Sequence, residues 1–164
     1  MPSAEHVNAM IEAGGERLAS RLRDMIGRQT AAFEQLDVLS QRQAAMIEAR
    51  DADALLGLLG ERQVLVDEIT GIGEELGPFR ERWDAVLGRL SPAERAAVGD
   101  DIQSLQDLAS KVAERDAADR SNLERERDET AKRLSGVAQG RAAVAAYGTP
   151  GRPGAQARFQ DREG

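Results

Sequence analysis

Apolar residues recur three and four positions apart through most of this 164-residue chain, and this period constrains the fold more than any other feature. It is the period of an α-helix that buries one face. The first stripe consists of Val7, Ile11, Leu18, Leu22, Met25, Phe33, Leu36, Leu39 and Ile47. It predicts one helix over residues 3–49, weakened at Gly14-Gly15 and at Gly27, where each glycine costs about 1 kcal/mol relative to alanine. Such a helix spans roughly 70 Å, which is typical of a coiled coil or an elongated bundle.

A second helix is predicted over residues 52–90. Asp51 or Asp53 can cap its first turn, because a carboxylate accepts hydrogen bonds from the free amides there. The stripe consists of Leu55, Leu58, Leu59, Arg62, Leu65, Val66, Ile69, Ile72 and Leu76, and it resumes with Phe79, Trp83, Val86, Leu87 and Leu90. Pro78 lacks an amide hydrogen and follows Gly77, so we expect it to kink this helix near 77–78 or to break it there. Phe79 and Trp83 are four positions apart, so we expect them to share one face in the core.

The tetrapeptide Ser91-Pro92-Ala93-Glu94 is a capping box, with a serine cap, proline at the first helical position and glutamate at the third. It predicts that a helix starts at residue 92. Because Gly99-Asp100-Asp101 offers a stop followed by a new start, we expect a short helix over 92–98 and a separate long helix over 100–146.

The last helix carries a heptad seam, an alternation of three- and four-residue steps held over six repeats. Its positions are Ile102, Leu105, Ala109, Val112, Asp116, Asp119, Leu123, Arg127, Thr130, Leu134, Val137, Arg141 and Val144. Between Ala113 and Arg133 the only large apolar residue is Leu123, so this part can bury little apolar surface by itself. Two interpretations are open: the segment is the solvated tip of a coiled coil, or it orders fully only with a partner.

The composition changes at Gly140. Residues 140–164 contain five glycines and two prolines, and the run over 148–154 is typical of a flexible linker. We therefore predict an all-α fold. Residues 1–139 form an elongated antiparallel coiled-coil bundle of three long helices plus a short helix, and residues 140–164 form the end of the last helix and a flexible C-terminal tail. Tyr147 and Phe159 are partner-binding candidates, since exposed aromatic residues are enriched at hot spots; a frayed terminus without function is the alternative.

Charge and the scarcity of reactive residues exclude several function classes. A net charge of −7 disfavours nucleic acid as a partner, since phosphate backbones require clustered Lys and Arg. The chain has no cysteine and a single histidine, His6, so it offers almost no material for metal sites or nucleophilic catalysis. The glycines of residues 71–77 lack the dinucleotide-binding spacing. We expect no enzyme activity, no cofactor and no small-molecule substrate.

The localisation expected from the sequence is cytoplasmic. The N-terminus has neither the basic start nor the apolar core of a signal peptide. No apolar run approaches the roughly 18 residues that a membrane span needs, so we expect no membrane insertion.

Four segments carry a resemblance to a known family. They are residues 48–55 (EARDADAL), residues 61–69 (ERQVLVDEI), and the C-terminal pair 141–148 (RAAVAAYG) and 158–164 (RFQDREG). Following a long helix, this order resembles the FlgN family of flagellar type III export chaperones, whose tail ends with an aromatic-x-Asp-basic element. The resemblance extends over nearly the whole chain, and Gly77-Pro78 departs from the unbroken second helix of that family.

The resemblance implies a cytoplasmic, non-enzymatic chaperone. Such a protein binds the C-terminal helices of hook-filament junction (hook-associated) proteins, prevents their premature assembly and delivers them to the gate and ATPase components of the export apparatus. In this interpretation the cargo anchors are Leu123, Leu134, Val137 and Val144. Asp116, Asp119 and Arg127 would set the register through charge, and Tyr147 or Phe159 would contact the cargo or the export gate.

The alternative function is structural. A coiled-coil scaffold or spacer without chaperone activity would use its length and would self-associate into a stable rod. A seam of this mixed quality does not specify the oligomeric state, so monomer and dimer both remain open at this stage.

Overall fold

The computed structural model describes residues 3–147, and in that range the chain forms five α-helices and no β-strand. They are α1 (Ala4–Ala13), α2 (Gly15–Ala49), α3 (Ala52–Glu81), α4 (Trp83–Arg89) and α5 (Pro92–Tyr147). The helices α2, α3 and α5 are long, which confirms the predicted all-α bundle of three long helices. Two helices are short, α1 and α4, where one short helix was predicted.

The predicted helix over residues 3–49 is divided at Gly14. Gly14 and Gly15 have φ angles of +61° and +70°, a left-handed conformation that favours glycine. A Cβ atom added to Gly14 would lie 3.1 Å from Cβ of Arg89, so the chain also passes close to the end of α4 there. The break lets α1 turn its buried residues Val7 and Ile11 into the core. Gly27, by contrast, lies inside the unbroken α2.

The helices α2 and α3 form an antiparallel pair joined by a tight turn. Arg50 adopts the left-handed conformation at the end of α2, and the Asp51 carboxylate accepts a hydrogen bond of 3.0 Å from the amide of Ala54. Of the two predicted capping residues, Asp51 is therefore the one at the N-cap. Arg42 pairs with Glu61 near the turn and Arg21 pairs with Glu75 far from it, as antiparallel helices require.

The helix predicted over residues 52–90 is interrupted at Arg82 and not at residues 77–78, where the expected kink stays a prediction. The helix α3 continues through Pro78 to Glu81, although proline removes a backbone hydrogen bond inside a helix. Phe79 is buried as predicted and anchors this turn in the core, while Trp83 is half-buried at the start of α4. The Arg82 guanidinium donates to the side-chain oxygen of Asn8 at 2.6 Å, which ties the break to α1.

The capping box at the start of α5 is confirmed. The amide of Glu94 donates to Oγ of Ser91 at 3.2 Å, and the amide of Ser91 donates to Oε2 of Glu94 at 2.8 Å. The predicted stop at Gly99 is wrong, because α5 runs on without interruption. Val98 is fully buried on one side of Gly99, and on the other side Asp101 bonds to Arg23 at 2.6 Å. These contacts outweigh the roughly 1 kcal/mol that a helical glycine costs.

The chain divides into two compact units, Met1–Leu123 and Glu124–Gly164. The first unit contains two apolar clusters. The larger one is built from α1, the first half of α2, the end of α3, α4 and the start of α5, and the smaller one consists of Leu36, Leu39, Leu58, Leu65 and Val112. The second unit is described over residues 124–147, the last part of α5. Composition placed a boundary after residue 139; the predicted tail from residue 148 onward, with Phe159, lies outside the described residues.

Candidate functional site

The first half of the heptad seam is packed against the other helices. Val98 and Val112 are buried, and Ile102, Leu105 and Ala109 between them are half-buried. Side-chain partners on α2 and α5 differ by 74 to 78 in residue number, as in Asp37–Lys111, Ser40–Asp116 and Arg23–Asp101. This narrow range shows that α5 runs parallel to α2.

Beyond Val112 the seam meets a cluster of buried and half-buried polar residues, which we call the polar layer: Asp37, Ser40, Gln43, Arg62, Arg115, Asp116 and Asp119. The Arg62 guanidinium donates to Oδ2 of Asp116 at 2.6 Å and also to Oγ of Ser40. The Gln43 amide donates to Oδ2 of Asp119 at 2.8 Å, and Arg115 lies 2.9 Å from Oδ1 of Asp37. Buried charges are tolerated only when they are paired in this way.

The polar layer corrects one expectation from the sequence. Asp116 and Asp119 do not present their charges to a cargo helix, because both carboxylates accept hydrogen bonds from α2 or α3. Their position in the seam instead aligns α5 with its two neighbours. Arg127, the third residue expected to set the cargo register, is exposed on α5 and donates to Asp128.

The second half of the seam is exposed. The exposed fractions are 66% for Leu134, 54% for Val137, 71% for Val144 and 92% for Tyr147. These four residues, which we call the distal stripe, recur at intervals of three and seven on α5 and lie on one side of it. Leu123 is 42% exposed but belongs to the first unit, eleven positions before Leu134. Four of the six predicted partner residues are thus brought together.

A second apolar surface was missed by the sequence reasoning. A groove of about 460 Å³ lies between α2 and α3 and is lined by Gln35, Val38, Leu39, Glu61, Val64 and Leu65. Val38 and Val64 are largely exposed, as is Leu56 on α3. A signal for them was available, because Val38, Leu56 and Val64 are apolar residues that fall outside the stripes of their helices.

Several carboxylates of the first unit are partners of arginines. Glu75 on α3 is shared by Arg21 and Arg28 of α2, at 3.2 and 3.0 Å. The hydrogen bond with Glu75 raises the pKa of Arg28, and the hydrogen bond and charge of Asp101 raise that of Arg23. Within residues 3–147 no group of three or more acidic or histidine side chains is placed to hold a metal ion.

The described helices also contain no segment that is both long and apolar enough to cross a membrane. His6 is exposed near the start of α1, and the glycines of residues 71–77 lie within α3 rather than in a loop. Neither feature assembles a site for a phosphate or a cofactor.

Comparison with known proteins identifies the family. A family model described as flagellar protein FliT matches residues 30–149, which is more than half of the chain. Comparisons with curated proteins and with solved structures give no match. The match supports the flagellar export chaperone expected from the sequence, but it supports the FliT family and not the FlgN family in particular. Residues 30–149 include most of α2 and all of the three helices that follow, so the chain belongs to the FliT family of flagellar export chaperones.

Proposed function

We propose that this chain is a cytoplasmic, non-enzymatic chaperone of flagellar type III export that binds amphipathic helices of hook-filament junction proteins on its distal stripe. It keeps these hook-associated proteins from assembling prematurely and delivers them to the gate and ATPase components of the export apparatus. The observation that carries the proposal is the exposed half of the α5 seam, where a regular helical stripe of Leu134, Val137 and Val144 faces solvent.

The spacing of the distal stripe suits a helical cargo. Apolar side chains three and seven positions apart are the anchors that one amphipathic helix offers to another. Burying a leucine or valine side chain contributes about 1.5–3 kcal/mol, so three anchors together with their cargo counterparts can offset the cost of association. Leu123, at the end of the first unit, extends the same seam toward the N-terminus as a fourth proposed anchor.

The charges beside the distal stripe indicate which charged groups the cargo helix carries. Arg127 and Arg141 occupy seam positions seven residues on either side of Leu134. Residues 124–147 contain five basic and four acidic residues, whereas the whole chain has a net charge of −7. Carboxylates on the cargo at the matching positions would pair with these arginines and fix its register.

Self-association as a scaffold is the second candidate, and the same arginines disfavour its simplest form. In a parallel two-stranded coiled coil each seam residue meets its own counterpart. Arg127 and Arg141 would then each face a second arginine inside the dimer. Light scattering of the protein alone and with the cargo proteins separates the candidates, since a stable rod that binds none of the cargo proteins would support the scaffold.

The decisive experiment is co-expression of the full chain with the junction proteins of the same organism, followed by size-exclusion chromatography with light scattering. The filament cap protein belongs in the same panel, because the FliT family serves cap and hook-associated proteins. The test variant combines Leu134→Ser with Val137→Ser. The matched control combines Val38→Ser with Leu56→Ser, which removes similarly exposed apolar side chains from α2 and α3.

We expect the wild type and the control variant to form a defined complex and the Leu134→Ser, Val137→Ser variant to lose it. Equal binding by all three would reject the distal stripe as the cargo site. Loss of the complex in the control variant alone would indicate that the cargo binds the exposed apolar residues of α2 and α3 instead.

Tyr147 and Phe159 are proposed as further contacts to the cargo or the export gate. Truncation after residue 147 removes Phe159 but keeps the distal stripe, whereas Tyr147→Ala removes one aromatic ring and keeps the tail. A complex that survives both changes would show that neither aromatic residue contributes to cargo binding.

A further inference from the structure

A third apolar surface lies in the first unit, around the single tryptophan of the chain. It is a hollow of about 390 Å³ lined by Ile26, Gln29, Gly73, Leu76, Arg80, Trp83, Ile102, Leu105 and Gln106. We call it the Trp83 hollow. Its volume falls in the lower part of the range typical of ligand pockets, about 300–1,000 Å³.

The hollow exists because α3 ends at Glu81. The break at Arg82 places Trp83 at the start of α4, where its ring is half-buried against the larger apolar cluster. Leu76, Ile102 and Leu105 are also half-buried around the same space. Four large apolar side chains therefore border an open hollow, whereas an ordinary core would have closed over them.

Gly73 leaves part of this space empty. A Cβ atom added there would meet only the side-chain nitrogen of Gln29, at 3.7 Å, an ordinary van der Waals distance. The Gln29 amide donates to the carbonyl of Ile69 at 3.2 Å, which holds it against the wall. A side chain introduced at Gly73 can thus occupy the hollow without displacing the backbone.

The hollow is bordered by a positive charge. Among the described residues that line it, Arg80 is the one charged side chain. One of its nitrogens donates to the carbonyl of Gly73 at 3.3 Å, which holds the guanidinium beside the apolar walls. A guanidinium has five N–H donors and favours paired binding to carboxylates. Charge complementarity at the hollow therefore favours a partner segment that places a carboxylate beside Arg80.

We propose that the Trp83 hollow is a second docking site, which takes an acidic peptide segment of a partner protein. The segment inserts one bulky apolar side chain between Trp83 and Ile102 and places a carboxylate against Arg80. This site is built from residues of the first unit and does not use the distal stripe, so the inference goes beyond the proposed cargo site and does not depend on it.

The tryptophan itself supplies the measurement. Because Trp83 is the only tryptophan, its fluorescence in the full-length protein reports occupancy of the hollow directly. The probe is the capped peptide acetyl-EELFEE-amide, compared with the uncharged acetyl-QQLFQQ-amide and with acetyl-EEAAEE-amide, which lacks the apolar pair. We expect saturable binding of the first peptide only, with a Kd below about 1 mM.

Two variants test the geometry. Arg80→Gln should weaken binding of the acidic peptide about tenfold, the effect of one lost charge-assisted hydrogen bond. Gly73→Leu should abolish binding by filling the hollow, while Gly71→Leu adds the same bulk to α3 at a residue that does not line it. Circular dichroism and the thermal midpoint verify that each variant is folded.

The variant Leu134→Ser with Val137→Ser should bind the peptide like the wild type, which separates this site from the cargo site. No saturable change in the wild type up to about 1 mM peptide would overturn the proposal. Equal affinity for the uncharged peptide, or wild-type affinity in a folded Gly73→Leu variant, would overturn it as well.

Discussion

The two parts of α5 on either side of Leu123 have the same seam and opposite surroundings. From Val98 to Asp119 every seam position is buried or half-buried, whereas from Leu134 to Val144 every seam position is exposed. Both parts are helical, and both repeat in steps of three and four. A heptad pattern therefore specifies a helix with one apolar face, but it does not specify whether the same chain or another molecule covers that face.

The polar layer marks the transition between the two parts. Val112 is the last buried apolar seam residue, and Asp116 and Asp119 follow it with polar partners on α2 and α3. Hydrogen-bonded charges give a fixed register but less net stability than apolar packing. The packed half of α5 is therefore aligned at its end by polar contacts rather than by further burial.

The two halves of α5 should differ most in how much stability is lost when a charged residue is introduced into each. Val112→Asp puts a carboxylate into the smaller apolar cluster and should lower the free energy of unfolding by about 3 kcal/mol or more. Val137→Asp changes an exposed seam position and should alter the free energy of unfolding by less than about 0.5 kcal/mol. Urea unfolding followed by circular dichroism measures both. Similar losses would show that the distal half is packed in solution.

A smaller effect is expected from the polar layer. Arg62→Met leaves Asp116 without its main partner and should cost about 1–3 kcal/mol of unfolding free energy. Adding Asp116→Leu should recover most of this loss, since an apolar pair can replace a buried ion pair. The control Arg133→Met removes only the exposed pair with Glu129 and should cost less than about 0.5 kcal/mol. Additive losses in the double variant would show that the two side chains are not coupled.

The capping box stabilises the start of the packed half. Ser91→Ala removes the acceptor of the Glu94 amide and should cost about 1 kcal/mol. Ser110→Ala, at an exposed position inside α5, serves as the control and should be neutral or slightly stabilising. The thermal midpoint would register the difference, and equal midpoints for the two variants would contradict the assigned role of Ser91.

The smallest effect on stability is expected for the distal stripe. Leu134→Ala with Val137→Ala should change helicity and unfolding free energy little, because both residues are exposed and alanine is a good helix former. Cargo affinity should nevertheless fall at least about tenfold, as expected when interface anchors are truncated. Helicity from circular dichroism is compared with titration calorimetry of the cargo. If helicity and affinity fall together, the two residues are core.

Local signals in the sequence were reliable where the competing energies were small. The capping box at Ser91 and the cap at Asp51 occur as predicted, because a single short-range hydrogen bond decides each. Gly99 shows the opposite case. A stop signal worth about 1 kcal/mol was overridden by burial of Val98 and by the Arg23–Asp101 pair, which involve α2 and other distant segments.

For the candidate site, too, the sequence predicted the local features and missed the long-range contacts. The helical period correctly placed Leu134, Val137 and Val144 on one side of a helix, since the period is a local property. It did not reveal that Asp116 and Asp119 bind side chains 54 to 76 residues earlier in the chain. Nor did it reveal that Trp83, although four positions after Phe79, remains half-buried beside an open hollow.

The sequence by itself determined that this chain is helical, where most of its helices begin, and which residues form the apolar face of each helix. These properties follow from a period of 3.6 residues and from capping groups within four positions of each other. Tertiary structure alone decided that Gly14 breaks a helix and Gly99 does not, and which half of the α5 seam is buried. Those outcomes depend on apolar burial and ion pairing between segments far apart in the chain, whose energies exceed the local preferences of single residues.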